Sequence, residues 1–260
     1  MNAWMELLLA LLQGLTEPLP ISSSGHLVVA QSWFGVGEPS LAFEAFVNLG
    51  SVVGVLLYYR AFLLQVLQEA VRGLSERKMN EALRFLLQVG VASIPAGLVG
   101  VLFASSIAAV FSSVRAVGLM LLVTGVLLTV VSRFMTQTNH TISNRDAGVV
   151  GVAQAFALIP GLSRSGLTTM AALFRGVEFK SALRFSLVMY IPISLAAGAW
   201  SVVQSTDVFI ISWVSGLSLF IAGVATYLVI GWYTTLVEQR RLIWFAYYCL
   251  MAGLLVVVIG

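Results

Sequence analysis

The sequence predicts an all-α integral membrane protein, with six transmembrane helices plus two re-entrant helical hairpins in an inverted repeat. Three observations carry this. Hydrophobic residues fill 59% of the 260 positions and charged residues only 10%, against about 25% charged in soluble domains. The apolar residues are gathered into long blocks. Four further apolar segments are too short to cross a bilayer, and they fall into two similar pairs.

The long blocks are 41–59, 83–104, 114–132, 181–202, 208–231 and 242–259, each of 18 to 24 residues. That length spans a hydrocarbon core of about 30 Å as a helix. Backbone polar groups in lipid must be satisfied within the segment, which favours helices, and no block has the alternation of a barrel strand. The short segments are 3–16, 22–34, 148–159 and 164–174. A helix of about 14 residues covers only about 21 Å, so these are expected to dip in and return. Pro18 and Pro20 break the first pair and Pro160 the second.

The pairs resemble each other at a constant offset of 141 residues: Gln13 with Gln154, Ser22 with Ser163, Ser24 with Ser165, Gly25 with Gly166. Each pair is followed by three long blocks. Three crossings invert the second half relative to the first, which divides the single membrane domain 1–260 into halves of approximately 1–132 and 146–260. One hairpin then enters from outside, the other from the cytoplasm, and their tips meet near the midplane. Broken apolar segments at matching places in two halves point to a membrane binding site.

Charge sets the orientation. With block 41–59 running inward, 12 of the 14 Lys and Arg residues are cytoplasmic: Arg60, Arg72, Arg77, Lys78, Arg84, Arg133, Arg145, Arg175, Lys180, Arg184, Arg240 and Arg241. Arg115 alone falls outside, and Arg164 lies within apolar sequence. The positive-inside rule then places both termini outside. The formal charge of +3 is spread through loops, so no nucleic-acid partner is expected. The single cysteine, Cys249, makes no intrachain disulfide. No basic residue precedes Arg60, so a cleaved signal peptide is not expected.

The first motif, QGLTEPLPISSSGHL, occupies 13–27. Gln13 and Glu17 share a helical face, and an ionisable residue such as Glu17 in apolar sequence is a functional-site candidate. Beyond the prolines, Ser22, Ser23, Ser24 and Gly25 offer hydroxyls and N–H groups, and His26 opens the next helix, whose N-terminus suits an anion. The second motif, IPGLSRSGLTTM, occupies 159–170. Arg164 supplies a planar fork for phosphate oxygens. Ser163, Ser165 and Thr168 add hydroxyls, and Gly166 allows close approach. Glu44 and Arg184 are expected to hold their helices or to form an outer layer around the site. Taken together, Glu17, Ser23, His26 and Arg164 point to chemistry on an anion.

These strings resemble the two signature motifs of the undecaprenyl-pyrophosphate phosphatases, the bacitracin-resistance family. The second matches at Pro160, Gly161, Ser163, Arg164, Ser165 and Thr168, and FEAFVNLGSVVGVLLYYR and SALRFSLVMYIPISLAAGA are similar to the segments that follow each motif. The resemblance implies a multi-pass enzyme of the bacterial cytoplasmic membrane, its site open to the outer face. It would remove the terminal phosphate of undecaprenyl diphosphate, recycling the lipid carrier for peptidoglycan synthesis and conferring bacitracin resistance. It also implies a divalent cation, Mg²⁺ or Ca²⁺. Gln13 stands where some members have a second glutamate, so cation binding through this motif rests on Glu17 plus substrate oxygens. Ser23, His26 or water is the nucleophile. The alternative class is a flippase for undecaprenyl phosphate or another anionic lipid. Small residues Gly216, Ser218 and Gly223 would permit a homodimer or packing within the chain.

Overall fold

The computed structural model describes residues 2–35, 41–111, 113–134, 140–204, 212–238 and 241–260. Arg240 and residues 208–211 of the fifth long block lie outside them. The described residues form eleven helices: α1 (Ala3–Thr16), α2 (Ser23–Trp33), α3 (Leu41–Tyr58), α4 (Arg60–Ser75), α5 (Glu81–Phe111), α6 (Val114–Phe134), α7 (Asn144–Phe156), α8 (Arg164–Phe174), α9 (Phe179–Gln204), α10 (Trp213–Glu238) and α11 (Ile243–Ile259). Four stretches are long and apolar enough to cross a membrane: Glu81–Phe103, Val114–Arg133, Phe179–Ser201 and Trp213–Leu236. Counting α3 with α4, which bends away from it by 74°, makes five.

The short segments form helices where the sequence placed them, with one shift. The third, expected from residue 148, begins at Asn144 because Ser143 and Asp146 make a reciprocal capping box. Such a box satisfies two of the N–H groups that a helix start leaves open. The apolar pattern begins later than the capping signal does. Helix α4 was not anticipated. Its polar residues Arg60, Gln65, Gln68, Glu69 and Arg72 interrupt the apolar ones, of which Val66 and Ala70 are buried with Gly73, while Leu64, Leu67, Val71 and Leu74 are exposed.

Small residues let the helices close on one another, as in many membrane bundles. A Cβ at Gly54 of α3 would lie 2.5 Å from the Gly223 carbonyl oxygen of α10, and one at Gly253 of α11 would lie 2.8 Å from the Gly118 carbonyl oxygen of α6. In α7, Gly151 meets Ala92 of α5 in the same way at 2.7 Å. Gly223 and the buried Ser218 are therefore used within the chain, whereas Gly216 faces open space. The main core, which includes Phe185, Met189, Tyr190 and Tyr233, takes in Leu19 and Ile21 of the turn that follows α1.

At the start of α7, Asp146 is 1% exposed and accepts hydrogen bonds from Ser143 Oγ at 2.6 Å, Arg175 Nε at 3.0 Å and His140 Nε2 at 3.1 Å. Burial opposes its ionisation, but the Ser143, His140 and Arg175 donors outweigh it and hold the carboxyl down at about 2. A carboxyl depressed below its unfolded value stabilises the fold above that value and ceases to do so as pH falls through the folded value. Thermal stability in detergent should therefore fall from about pH 4 toward about pH 2. Asp146→Asn should be less stable at pH 6 and should show less of this acid dependence, which melting curves at the two pH values would check.

Candidate functional site

Two turns cross at the centre of the fold. The chain leaves α1 through Pro18 and Pro20 and enters α2 at Ser22, and it leaves α7 through Pro160 and Gly161 (φ 92°) and enters α8 at Ser163. Both helix starts have the same local chemistry. Ser22 Oγ accepts from Gly25 N–H at 3.2 Å, and Ser163 Oγ from Gly166 N–H at 3.1 Å. A serine in this position caps a helix by satisfying an open N–H. The turns also touch: a Cβ on Gly25 would lie 3.1 Å from Gly161 Cα, and one on Gly166 would lie 3.2 Å from Pro20 Cβ. Each turn is further held by one long helix. Thr124 of α6 donates to the Gly161 carbonyl at 3.2 Å, and Cys249 of α11 lies 3.8 Å from the Pro20 carbonyl.

Glu17 and Arg164, 147 residues apart, form an ion pair across this crossing. Glu17 is 9% exposed and also accepts from Gln13 Nε2 at 2.7 Å and Ser23 Oγ at 2.5 Å. Arg164 donates to Ser194 Oγ at 3.1 Å and lies over the Tyr190 ring, 4.1 Å from its centroid. The Tyr190 hydroxyl donates to Asn48 Oδ1 at 2.6 Å, and Gln13 Nε2 reaches the same oxygen at 3.3 Å. A closed polar ring thus runs Glu17, Arg164, Tyr190, Asn48, Gln13 within apolar surroundings.

A cavity of about 400 Å³ opens on this ring, lined by Gln13, Glu17, Ser22, Ser23, Ser24, Glu44, Asn48, Ser163, Arg164 and Ser165 with apolar neighbours that include Leu27, Leu158 and Gly198. Several lining residues are partners at the offset of 141: Glu17 with Leu158, Leu19 with Pro160, Ser22 with Ser163, Ser23 with Arg164, Ser24 with Ser165. Both helix starts therefore open on one space, where free N–H groups and dipoles favour an anion.

The expected residues are not all at this surface. Ser163 and Ser165 line it, but their hydroxyls reach the Leu19 carbonyl at 3.3 and 2.7 Å and so knit the second motif to the first. Thr168 is fully buried, bonded to Ser186 Oγ at 2.5 Å and to the Arg164 carbonyl at 2.7 Å. Gly25 and Gly166 serve the contact between turns. His26 lies outside the cavity lining: its Nδ1 donates to the Ser22 carbonyl at 2.7 Å and its Nε2 meets the Tyr248 hydroxyl of α11 at 2.6 Å. Ser22 holds φ 66°, a region costly for a residue with a Cβ. The His26 hydrogen bond is one of the contacts that keep it there.

Asn48, Tyr190 and Ser194 were not read from the sequence. Polar residues inside long apolar blocks were the available signal, but nothing local tied them to the motifs. Removing only the hydroxyl in Tyr190→Phe should cost about 1–3 kcal/mol of stability, because Asn48 loses a buried partner. Tyr190→Leu should cost more, since Arg164 also loses its aromatic face, worth about 0.5–2 kcal/mol. Thermal unfolding of the two purified variants checks the order.

The comparisons with known proteins agree on what such a chain is similar to. Residues 6–255 match the family described as Bacitracin resistance protein BacA. Undecaprenyl-diphosphatase 1 of Bacillus licheniformis is 38% identical over 265 residues, covering 97% of this chain and 96% of that protein. Undecaprenyl-diphosphatase 1 of Bacillus cereus is 37% identical over 260 residues with the same coverage. The undecaprenyl-diphosphatase of Oceanobacillus iheyensis is 36% identical over 259 residues, covering 96% and 94% of the two chains. With the match spanning both motifs and nearly every helix, the chain belongs to the BacA family of bacitracin resistance proteins.

Proposed function

We propose that this protein hydrolyses undecaprenyl diphosphate to undecaprenyl phosphate and inorganic phosphate, at the outer face of the bacterial cytoplasmic membrane. The observation that carries this reading is Ser23 donating to Glu17 while Arg164 binds the same carboxylate, beside two helix starts on one cavity. A transporter needs an anion site but no hydroxyl held on a carboxylate, so hydrolysis is favoured over flipping. The relatives named as undecaprenyl-diphosphatases support the substrate.

Phosphoryl transfer calls for positioning, charge neutralisation and an in-line nucleophile. Arg164 and the starts of α2 and α8 hold the terminal phosphate. A Ser23 Oγ lone pair attacks the terminal phosphorus, and the Ser23 proton passes to Glu17 Oε2. The bond from that phosphorus to the bridging oxygen breaks, and its electron pair leaves with undecaprenyl phosphate. Water then attacks the phosphoserine and departs as inorganic phosphate. The bonding pair returns to Ser23 Oγ, which takes its proton back from Glu17. His26, held against Ser22 and Tyr248, fixes the turn that aims Ser23.

The donor set suits a hard divalent cation such as Mg²⁺ or Ca²⁺. Two carboxylates, Glu17 and Glu44, line the cavity, and Mg²⁺ is commonly held by one or two carboxylates plus phosphate oxygens. Bound there, the cation would neutralise negative charge on the diphosphate.

The same reading places six crossings and two re-entrant hairpins in an inverted repeat, with halves 1–132 and 146–260 and both termini outside. It is supported by the matched caps at Ser22 and Ser163. The matched roles of α6 and α11 at the two turns support it too, as does the packing of α7 on α5 where α1 packs on α10. Detergent-solubilised protein supplied with farnesyl diphosphate should release phosphate, because detergent abolishes vectorial transport but not hydrolysis. Ser23→Ala, Glu17→Gln and Arg164→Ala should each lower that release by about 10²-fold or more while leaving a folded protein. Wild-type protein without phosphate release contradicts the reading.

A further inference from the structure

We propose that Gly198 sets which hydrocarbon chain this cavity admits: the side chain it lacks leaves room for the branched first isoprene unit behind the diphosphate. The inference rests on the hydrolase reading for the identity of the substrate. On α9, Ser194 accepts the hydrogen bond from Arg164, and Gly198 stands one turn further along the same face. That is about 6 Å along the helix axis, and Gly198 lines the cavity there. On α2, Leu27 and Val28 follow Ser23 and Ser24 by one turn in the same lining, and Leu158 joins them from the end of α7. An apolar wall therefore begins one turn away from the charged groups. A cavity of about 400 Å³ is of the size that takes a drug-sized molecule. It holds the diphosphate and the first isoprene units, and the rest of a long chain lies outside it.

Gly198 differs from the other buried glycines. At Gly54, Gly151 and Gly253 a Cβ would lie 2.5, 2.7 and 2.8 Å from a backbone oxygen of a neighbouring helix, so close helix packing accounts for them. Gly198 is also buried, yet a Cβ on it would meet nothing within 4 Å. Among the described residues no other buried glycine combines these properties. Glycine weakens a helix interior, and no helix contact explains its use here. The open space ahead of it belongs to the cavity. An isoprenyl chain carries a methyl branch close to its diphosphate end, and this makes it wider than an unbranched alkyl chain. Leu27, Val28 and Leu158 supply apolar contact to such a chain, and Gly198 supplies the width. One carbon group in an apolar pocket changes discrimination by about 10–200-fold. A side chain placed at Gly198 should therefore penalise the branched chain far more than the unbranched one.

The probes are farnesyl methylenediphosphonate and n-dodecyl methylenediphosphonate, which resist hydrolysis and differ in branching. Each is titrated by calorimetry into the purified full chain in one detergent, and wild-type protein should bind both. Gly198→Leu should weaken the farnesyl probe about tenfold or more and the dodecyl probe by less than about threefold. Gly198→Ala favours the helix. It should shift the ratio of the two affinities the same way by a smaller factor, and it reads the same question if the leucine variant folds poorly. Gly216→Leu is the control. A Cβ on Gly216 also meets nothing within 4 Å, but Gly216 is exposed on α10 and is not part of the cavity lining, so both affinities should stay as in the wild type. Equal weakening of both probes by the Gly198 variants overturns the assignment, as does weakening of neither or the same ratio shift in Gly216→Leu. It is also overturned if either probe fails to bind the wild type. Phosphate release from farnesyl diphosphate by the wild type is measured separately, so failure of the hydrolase reading and failure of the Gly198 assignment are distinct results.

Discussion

The ion pair between Glu17 and Arg164 is the constraint on which the rest of the structure depends. Each charge lies in apolar sequence, where an uncompensated ion costs several kcal/mol. Neither turn therefore tolerates being built alone. The first supplies the carboxylate and the second the guanidinium, and the fold must bring residues 147 apart into contact before either is stable. The rest of the centre serves that contact. Gly25 and Gly161 let the turns touch, Ser163 and Ser165 bond the Leu19 carbonyl, and Tyr190 underlies the guanidinium. A buried pair is weak evidence for stability, since an apolar replacement often does as well. Its retention here fits a use in binding and chemistry.

The two motifs are alike in backbone and unlike in chemistry. At the offset of 141, the caps, the small residues and the serine pairs correspond, whereas Glu17 faces Leu158 and Ser23 faces Arg164. At these matched positions the cavity lining thus carries Glu17, Ser23 and Arg164, with an apolar counterpart to Glu17 at Leu158. Both helix starts contribute the same favourable field for an anion, and the unequal side chains decide which end reacts.

Much of this was legible because the signals are local. Proline breaks, serine caps and the pair of short apolar segments each act over a few residues, and they placed α1, α2, α7 and α8 and the two turns. What was not legible depends on distant packing. Helix α4 has no continuous apolar run, so a search for membrane blocks passed over it. The direction of His26 is set by Tyr248, 222 residues away, and that of Thr168 by Ser186 on α9. Asn48, Tyr190 and Ser194 lie in blocks that read as plain spans, and their polar atoms gain meaning only where α3, α8 and α9 meet.

The most direct measurement of this account is a double-mutant cycle on thermal stability with Glu17→Gln, Arg164→Gln and the double variant. Arg164→Gln strands the buried Glu17 carboxylate and should cost about 3–5 kcal/mol, while Glu17→Gln strands the Arg164 guanidinium, whose side chain is 26% exposed, and should cost less. The double variant strands none, so it should be no less stable than either single variant, giving a coupling of at least about 2 kcal/mol. Costs that simply add, within about 0.5 kcal/mol, would mean that the two motifs do not meet through this pair.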